Sequence, residues 1–331
     1  MAQAAQLKAL ILAGNYDEQF KFLYKSGIDD QRKRYCAALE RFEAHFGSDR
    51  DLWIFSAPGR TELSGNHTDH QHGRVLAAAV TLDVLAIVAP RSDNRVDLRS
   101  EGFRPCQLDL SELQPLESEK GSSVSLIRGI AADLTRLGCQ IGGFDAYTVS
   151  QVPFGSGLSS SAAFETLAGC IFSYLFNGGR IDPIQIAKTG QFAENQYFGK
   201  PCGLMDQTAS ACGNVIAIDF ADPNQPQVEQ IEFDFSILGY SLYVINAGGS
   251  HADLTDEYAA IPDEMRSVAA RFGQTVLRSV NPHEFFLKLP DLRKEVGDRA
   301  VLRAMHFFEE NERVALQVDA LRKKNLNEYL H

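Results

Sequence analysis

The sequence predicts a two-domain α+β protein, and three observations carry that prediction. The chain has 331 residues, enough for two domains that each bury a core. Strand-like and helix-like patterns alternate over most of its length, whereas residues 252–331 are mostly helical in pattern. Between a strand and a helix lies Val152-Pro-Phe-Gly-Ser-Gly-Leu-Ser-Ser-Ser-Ala-Ala-Phe-Glu165. That helix is apolar on nearly every side, so it belongs in a core. We expect an N-terminal domain over residues 1–212 and a C-terminal domain over 213–331.

Composition narrows the class of partner. With 44% apolar and 23% charged residues the chain is an ordinary globular protein. Its net charge of −11 argues against nucleic acid or an anionic membrane as the main partner. A phosphate could still be held locally. The six cysteines are scattered without a CxxC pair, as expected of reduced, mostly buried thiols in a cytoplasmic protein. The apolar stretch at 7–13 is short, broken by Lys8 and followed by no cleavage site, so it reads as a helix rather than a signal peptide. No apolar run reaches membrane-spanning length.

Taken in order, residues 17–47 mix charge and aromatics at helical spacing and stop at Gly47. Residues 52–56 read as a short strand, with Ala57-Pro58-Gly59 as a turn. Residues 75–89 are mostly small or branched apolar residues, a strand or two strands. An amphipathic helix over 124–138 leads to a strand at 144–152, where β-branched and aromatic residues alternate in character. The apolar helix over 161–176 stops at Asn177-Gly178-Gly179. Asp182-Pro183 opens the next helix as N-cap and first residue, and Gly199 ends it. Small residues after Met205-Asp206-Gln207 suit another helix, and strands follow at 215–220 and 242–246 with a Pro-rich link at 222–227.

Two stretches carry chemistry. In the first, Gly155 and Gly157 precede three serines on a strand-to-helix turn. There the free N–H groups and the positive helix end can hold an anion. Gly155 and Gly157 also lack the Cβ atoms that would keep a phosphate from the backbone. The bland alternative is a Gly/Ser turn capped by a serine. No Gly-Lys-Ser/Thr follows, and Ser160 stands where a dinucleotide fingerprint needs glycine, so the loop is neither a Walker nor a Rossmann cradle. The second stretch is Gly59-Arg-Thr-Glu-Leu-Ser-Gly-Asn-His-Thr-Asp-His-Gln-His-Gly73, a dense polar segment between apolar runs. Such a segment is costly to bury without a purpose. It reads as a solvated loop, as a metal site built from His67, Asp69, His70 and His72, or as a grip on a small polar ligand by Arg60, Asn66, His67 and Asp69.

Together the chain offers what phosphoryl transfer needs: a phosphate cradle, the carboxylates Glu194 and Asp206, and the cation Arg60. Three segments then resemble the galactokinases, a branch of the GHMP small-molecule kinases. They are Pro58-Gly-Arg-Thr-Glu-Leu-Ser-Gly-Asn-His-Thr-Asp69, Pro153-Phe-Gly-Ser-Gly-Leu-Ser-Ser-Ser-Ala162 and Cys202-Gly-Leu-Met-Asp-Gln207. The similarity spans roughly residues 40–260, in the family's order and spacing. It implies a two-domain GHMP-kinase-like fold, an active site in the cleft between domains, and ATP-dependent phosphorylation of the C1 hydroxyl of galactose. By the resemblance Asp206 matches the catalytic base, and Arg60 the arginine beside it. Glu194 and Ser161 match the Mg²⁺ positions, with Ser159 and Ser160 on phosphate. Pro153, Gly155, Ser156, Gly157 and Leu158 complete the nucleotide loop. Asn66, His67, Asp69, Gly203 and Tyr258 match sugar-contacting positions.

The chain departs from the family pattern in three places. Asn66 stands where the family usually has glutamate, which makes galacturonate or N-acetylgalactosamine alternative substrates. Thr61-Glu62 replaces Val-Asn. The late Gly-x-Gly-x-Gly-Gly motif is absent, since Ala247-Gly248-Gly249 comes too early and lacks the pattern, and helical-looking sequence over 312–330 runs to the end. We therefore expect a chain lacking its C-terminal portion. The rivals are a catalytically silent sugar-and-ATP sensor acting through a protein partner, and a metal-dependent hydrolase.

Overall fold

A computed structural model describes residues 2–243, 245 and 255–330, apart from the side chains of 236, 237, 255, 256, 258 and 259. The chain divides into one unit of residues 1–60 with 80–212 and another of residues 61–79 with 213–331.

The first unit contains helices α1 (Ala4–Leu12), α2 (Asp17–Tyr24) and α3 (Ile28–Phe46), then strand β1 (Trp53–Ser64) as far as residue 60. From residue 80 it contains the rest of β2 (Arg74–Pro90), then β3 (Arg95–Ser100), β4 (Cys106–Asp109), α4 (Ser123–Arg136), β5 (Phe144–Ser150), α5 (Ser160–Asn177), α6 (Pro183–Ala193) and α7 (Met205–Cys212). β5 pairs antiparallel with β2 and parallel with β3, and β4 is antiparallel to β3. Successive side chains on a strand face opposite ways. Val84, Ala86 and Val88 accordingly join Ile130 of α4 and Leu167 and Ile171 of α5 in one core. Leu85, Ile87 and Ala89 join Ile11 of α1 and Leu39 and Phe42 of α3 in another. A strand covered on both faces is apolar throughout, which is why residues 84–89 carry no alternation. Residues 75–89 form one strand, not two.

One expectation is corrected here. Ala57-Pro58-Gly59 is not a turn, because β1 runs through it. Gly59 is needed for close approach instead: a Cβ there would meet the Leu158 carbonyl oxygen at 2.8 Å. β3 and β4 were not anticipated, since charged residues interrupt their short runs. The strand at 144–150, the helix over 160–177 with a left-handed Gly178 beyond it, and the Asp182 cap all form as their sequences predict.

The second unit takes the last residues of β1, the first of β2, and then β6 (Val215–Asp219) and β7 (Gln227–Ile231). β6 is antiparallel to β2 and to β7. Five helices follow among the described residues: α8 (Thr255–Ala270), α9 (Pro282–Leu287), α10 (Leu289–Val296), α11 (Asp298–Arg322) and α12 (Leu326–Leu330). α11 serves two cores. Val301, Ala304 and Phe307 pack with Met265, Phe285 and Leu292, while Val314, Val318 and Leu321 pack with Leu76, Ala78, Val215 and Ile231. The helical run expected over 312–330 breaks after α11, where Lys324 is left-handed at φ 54°. Strand β7 was not foreseen. The strand expected at 242–246 falls partly outside the described residues, and 242, 243 and 245 lie in no strand. Residues 247–249 also lie outside the description.

No helix among the described residues is long and apolar enough to cross a membrane. All six cysteines are free thiols.

Candidate active site

In the first unit the polar groups converge on Asp206, in the first turn of α7. That turn is fixed from below by the fully buried Met205 and by Ser210, whose hydroxyl donates to the Pro58 carbonyl of β1 at 2.7 Å. β1 in turn bonds the phosphate loop, Arg60 N–H donating to the Leu158 carbonyl at 3.1 Å. Arg60 is only 5% exposed, and each end of its guanidinium is used. Nε and Nη2 donate to Asp206 Oδ1 at 2.8 and 2.5 Å, and Nη1 donates to the Gly157 carbonyl at 2.5 Å. Ser159 Oγ donates to Asp206 Oδ2. The Asp206 side chain is still 28% exposed, with its Oδ2 held by the Ser159 hydroxyl.

The loop itself explains its glycines. Gly155 and Gly157 have φ of 69° and 75° with nothing within 4 Å of a built Cβ. Their first reason for being glycine is the left-handed backbone, and the open space that remains is what an anion would use. Ser156 is spent on the turn, donating to the Pro153 carbonyl at 2.7 Å. Ser159 is turned towards Asp206 in this structure. The Ser161 hydroxyl makes no hydrogen bond among the described residues, and Ser161 lies in the first turn of the 18-residue α5.

Glu194 opens a π-helical turn, Glu194–Phe198, and is 3% exposed. Such turns are rare and often mark functional sites. Lys200 Nζ lies 3.3 Å from its Oε1, and Gln207 Nε2 donates to its Oε2 at 3.1 Å. Gln207 Nε2 also donates to Glu165 Oε2 at 3.0 Å. Burial pushes the Glu165 carboxyl well above the usual carboxylate range, and the charge of Glu194 adds to it. Cys202, before Gly203, has its thiol pushed up by burial. Glu165 and Gln207 were missed as site residues. The signal was there: a glutamate within an otherwise apolar helix needs a partner.

In the second unit the polar segment after β1 is a strained turn. Gly65, Asn66 and His67 have φ of 111°, 48° and 62°, and a 3₁₀ turn, Thr68–Gln71, follows. Glu310 Oε2 accepts the Gly65 N–H at 2.9 Å, and Glu62 Oε1 accepts the His67 N–H at 2.8 Å. The departure at Glu62 thus has a structural purpose, and Asn66 occupies a backbone conformation that asparagine tolerates better than glutamate. The segment is not simply a solvated loop, since Thr68, Asp69 and Gln71 are buried. Among the described residues no group of three or more His, Cys, Asp or Glu side chains could hold a metal, so His67, Asp69, His70 and His72 do not form the metal site considered above. Burial pushes the His70 imidazole down. Tyr258 lies in α8, and its side chain is outside the description.

The galactokinase galactose-binding signature matches residues 40–90, and the GHMP kinase N-terminal domain matches residues 125–214. A galactokinase of Streptomyces coelicolor is 34% identical over 280 residues, covering 83% of this chain and 70% of its own. One from Actinobacillus pleuropneumoniae is 31% identical over 295 residues, covering 87% of this chain and 74% of its own. The crystal structure of Lactococcus lactis galactokinase complexed with galactose is similar, with TM-score 0.71 and 25% identity, over 88% of this chain and 75% of that one. A D-glycero-D-manno-heptose 1-phosphate kinase from Bacteriodes thetaiotaomicron shares the fold, with TM-score 0.53 over 84% of this chain and 76% of that one. On relatives above 30% identity matched over more than two thirds of their length, the chain belongs to the galactokinase family and has the GHMP kinase fold.

Proposed function

We propose that this chain transfers the γ-phosphoryl group of ATP to the C1 hydroxyl of galactose, giving galactose 1-phosphate and ADP. The observation that carries the reading is Asp206, gripped by Arg60 on one oxygen and by the Ser159 hydroxyl on the other. In the proposed reaction Asp206 Oδ2 exchanges the Ser159 hydroxyl for the sugar C1 hydroxyl and takes its proton as the oxygen attacks the γ-phosphorus. Arg60 holds Asp206 in place and balances the charge that develops on the transferring group. The loop Pro153–Ser161 receives the phosphates at the amino end of α5. Asn66, His67, Asp69, Gly203 and Tyr258 are the proposed sugar contacts.

The Glu194 carboxylate, and the Ser161 hydroxyl with no partner among the described residues, are hard oxygen donors of the kind Mg²⁺ takes alongside phosphate oxygens and water. Glu194 and Ser161 fit that role. Bound there, Mg²⁺ would neutralise phosphate charge.

The test is ADP release with Mg·ATP over galactose, N-acetylgalactosamine, galacturonate, glucose and mevalonate. Galactose should give the highest kcat/KM of the panel. A higher value for another substrate would replace galactose, and ATP-dependent turnover of none would sink the kinase reading.

A further inference from the structure

The proposed reaction does not use Glu165, yet that side chain is fully buried within α5. It lies four residues after Ser161, so both project from one face of the helix. Its Oε2 accepts from Gln207 Nε2 at 3.0 Å, and the same nitrogen donates to Glu194 Oε2 at 3.1 Å. A carboxamide nitrogen has two hydrogens, and here the nitrogen faces both carboxylates, with Cys202 Sγ beside them at 3.6 Å. Gln207 directly follows Asp206, and one amide therefore ties together the helix carrying Ser161, the turn carrying Glu194 and the helix carrying Asp206. α6 makes room for the bridge: a Cβ on Gly190 would lie 3.1 Å from Glu165 Oε2 and 3.3 Å from Gln207 Cγ.

We propose that Glu165 is a positioning residue, which through the Gln207 carboxamide fixes the direction in which Glu194 presents its carboxylate to a divalent cation. Glu165 itself touches neither substrate nor cation. With one Gln207 hydrogen anchored on Glu165, the amide cannot swing, and Glu194 Oε2 is held from behind. Without that anchor the Glu194 carboxylate loses its fixed orientation. Partners that orient a metal ligand typically contribute 10–100-fold to metal affinity.

The inference rests on the metal assignment in the proposed function, and the experiment separates the two. Mn²⁺ binding in the presence of ADP is followed by electron paramagnetic resonance of the free ion, for the unaltered chain, Glu165→Met and Glu165→Gln. Glu165→Met removes the acceptor, and Glu165→Gln keeps a carbonyl oxygen for the Gln207 hydrogen. The expected result is Mn²⁺ affinity about tenfold or more weaker in Glu165→Met and restored to within about twofold in Glu165→Gln, with galactose affinity by calorimetry unchanged in both. If Glu165→Met fails to fold, Gln207→Met cuts the bridge from its other end and should weaken Mn²⁺ equally. Unchanged Mn²⁺ affinity in a folded bridge variant, or failure of Glu165→Gln to restore it, overturns the positioning role alone. No Mn²⁺ binding by the unaltered chain overturns the metal assignment and this inference with it.

Discussion

The phosphate loop with Asp206 and the turn at 65–72 are both polar and both built around left-handed residues, but they are held in different ways. Asp206 is fixed by side chains: a buried arginine and a serine on its two oxygens. The turn is fixed through its backbone, with Glu310 accepting from Gly65 and Glu62 accepting from His67. Asn66 and His67 remain exposed, and the His67 side chain is 50% exposed. A group that must meet developing charge gains from a set geometry. Side chains that meet hydroxyls gain from a shaped backbone and free tips. The two regions should therefore divide the kinetics, the first governing kcat and the second governing KM for galactose.

Asp206→Asn should produce the largest effect, a fall in kcat of roughly 10²–10⁴-fold with galactose binding by calorimetry within a fewfold of the unaltered chain. A near-normal rate would remove Asp206 as base. Arg60→Lys keeps a charge but loses the planar fork that reaches Asp206 and Gly157 together, and steady-state kinetics should show kcat lower by about 10²-fold. Equal rates for Lys and Arg would mean that the fork is not needed.

The turn should respond differently. Glu310→Ala leaves the Gly65 N–H without its charged acceptor, a loss of roughly 1.5–3 kcal/mol, and KM for galactose should rise about tenfold with kcat within twofold. A drop in kcat alone would break the division. Asn66→Glu should have the smallest effect. It should lower KM for galactose by about two- to fivefold if side chain 66 faces the sugar, and lower stability by roughly 1 kcal/mol because φ is positive. An unchanged galactose KM, with the stability change alone in thermal melts, would show that it faces elsewhere.

How far the sequence could be read follows from what each region depends on. The helix over 160–177 and its glycine stop depend on local pattern and capping, and both were legible. β7 pairs with the neighbouring β6, but Gln227–Ile231 is polar and mostly exposed, and charges interrupt β3, so neither strand carried the apolar run that would have marked it. Gly59 looked like a turn because its real constraint, the Leu158 carbonyl beside it, lies about a hundred residues away. The motifs named Asp206, Arg60 and Glu194, but they could not show that Ser159 would donate to Asp206 or that one amide would join Glu165 and Glu194. Those facts belong to tertiary packing.

The division is tested most directly by measuring kcat and galactose KM side by side for Asp206→Asn and Glu310→Ala. The account predicts that Asp206→Asn loses kcat by at least about 10²-fold at nearly unchanged KM, and that Glu310→Ala raises KM at nearly unchanged kcat. Two variants that move the same parameter would contradict it.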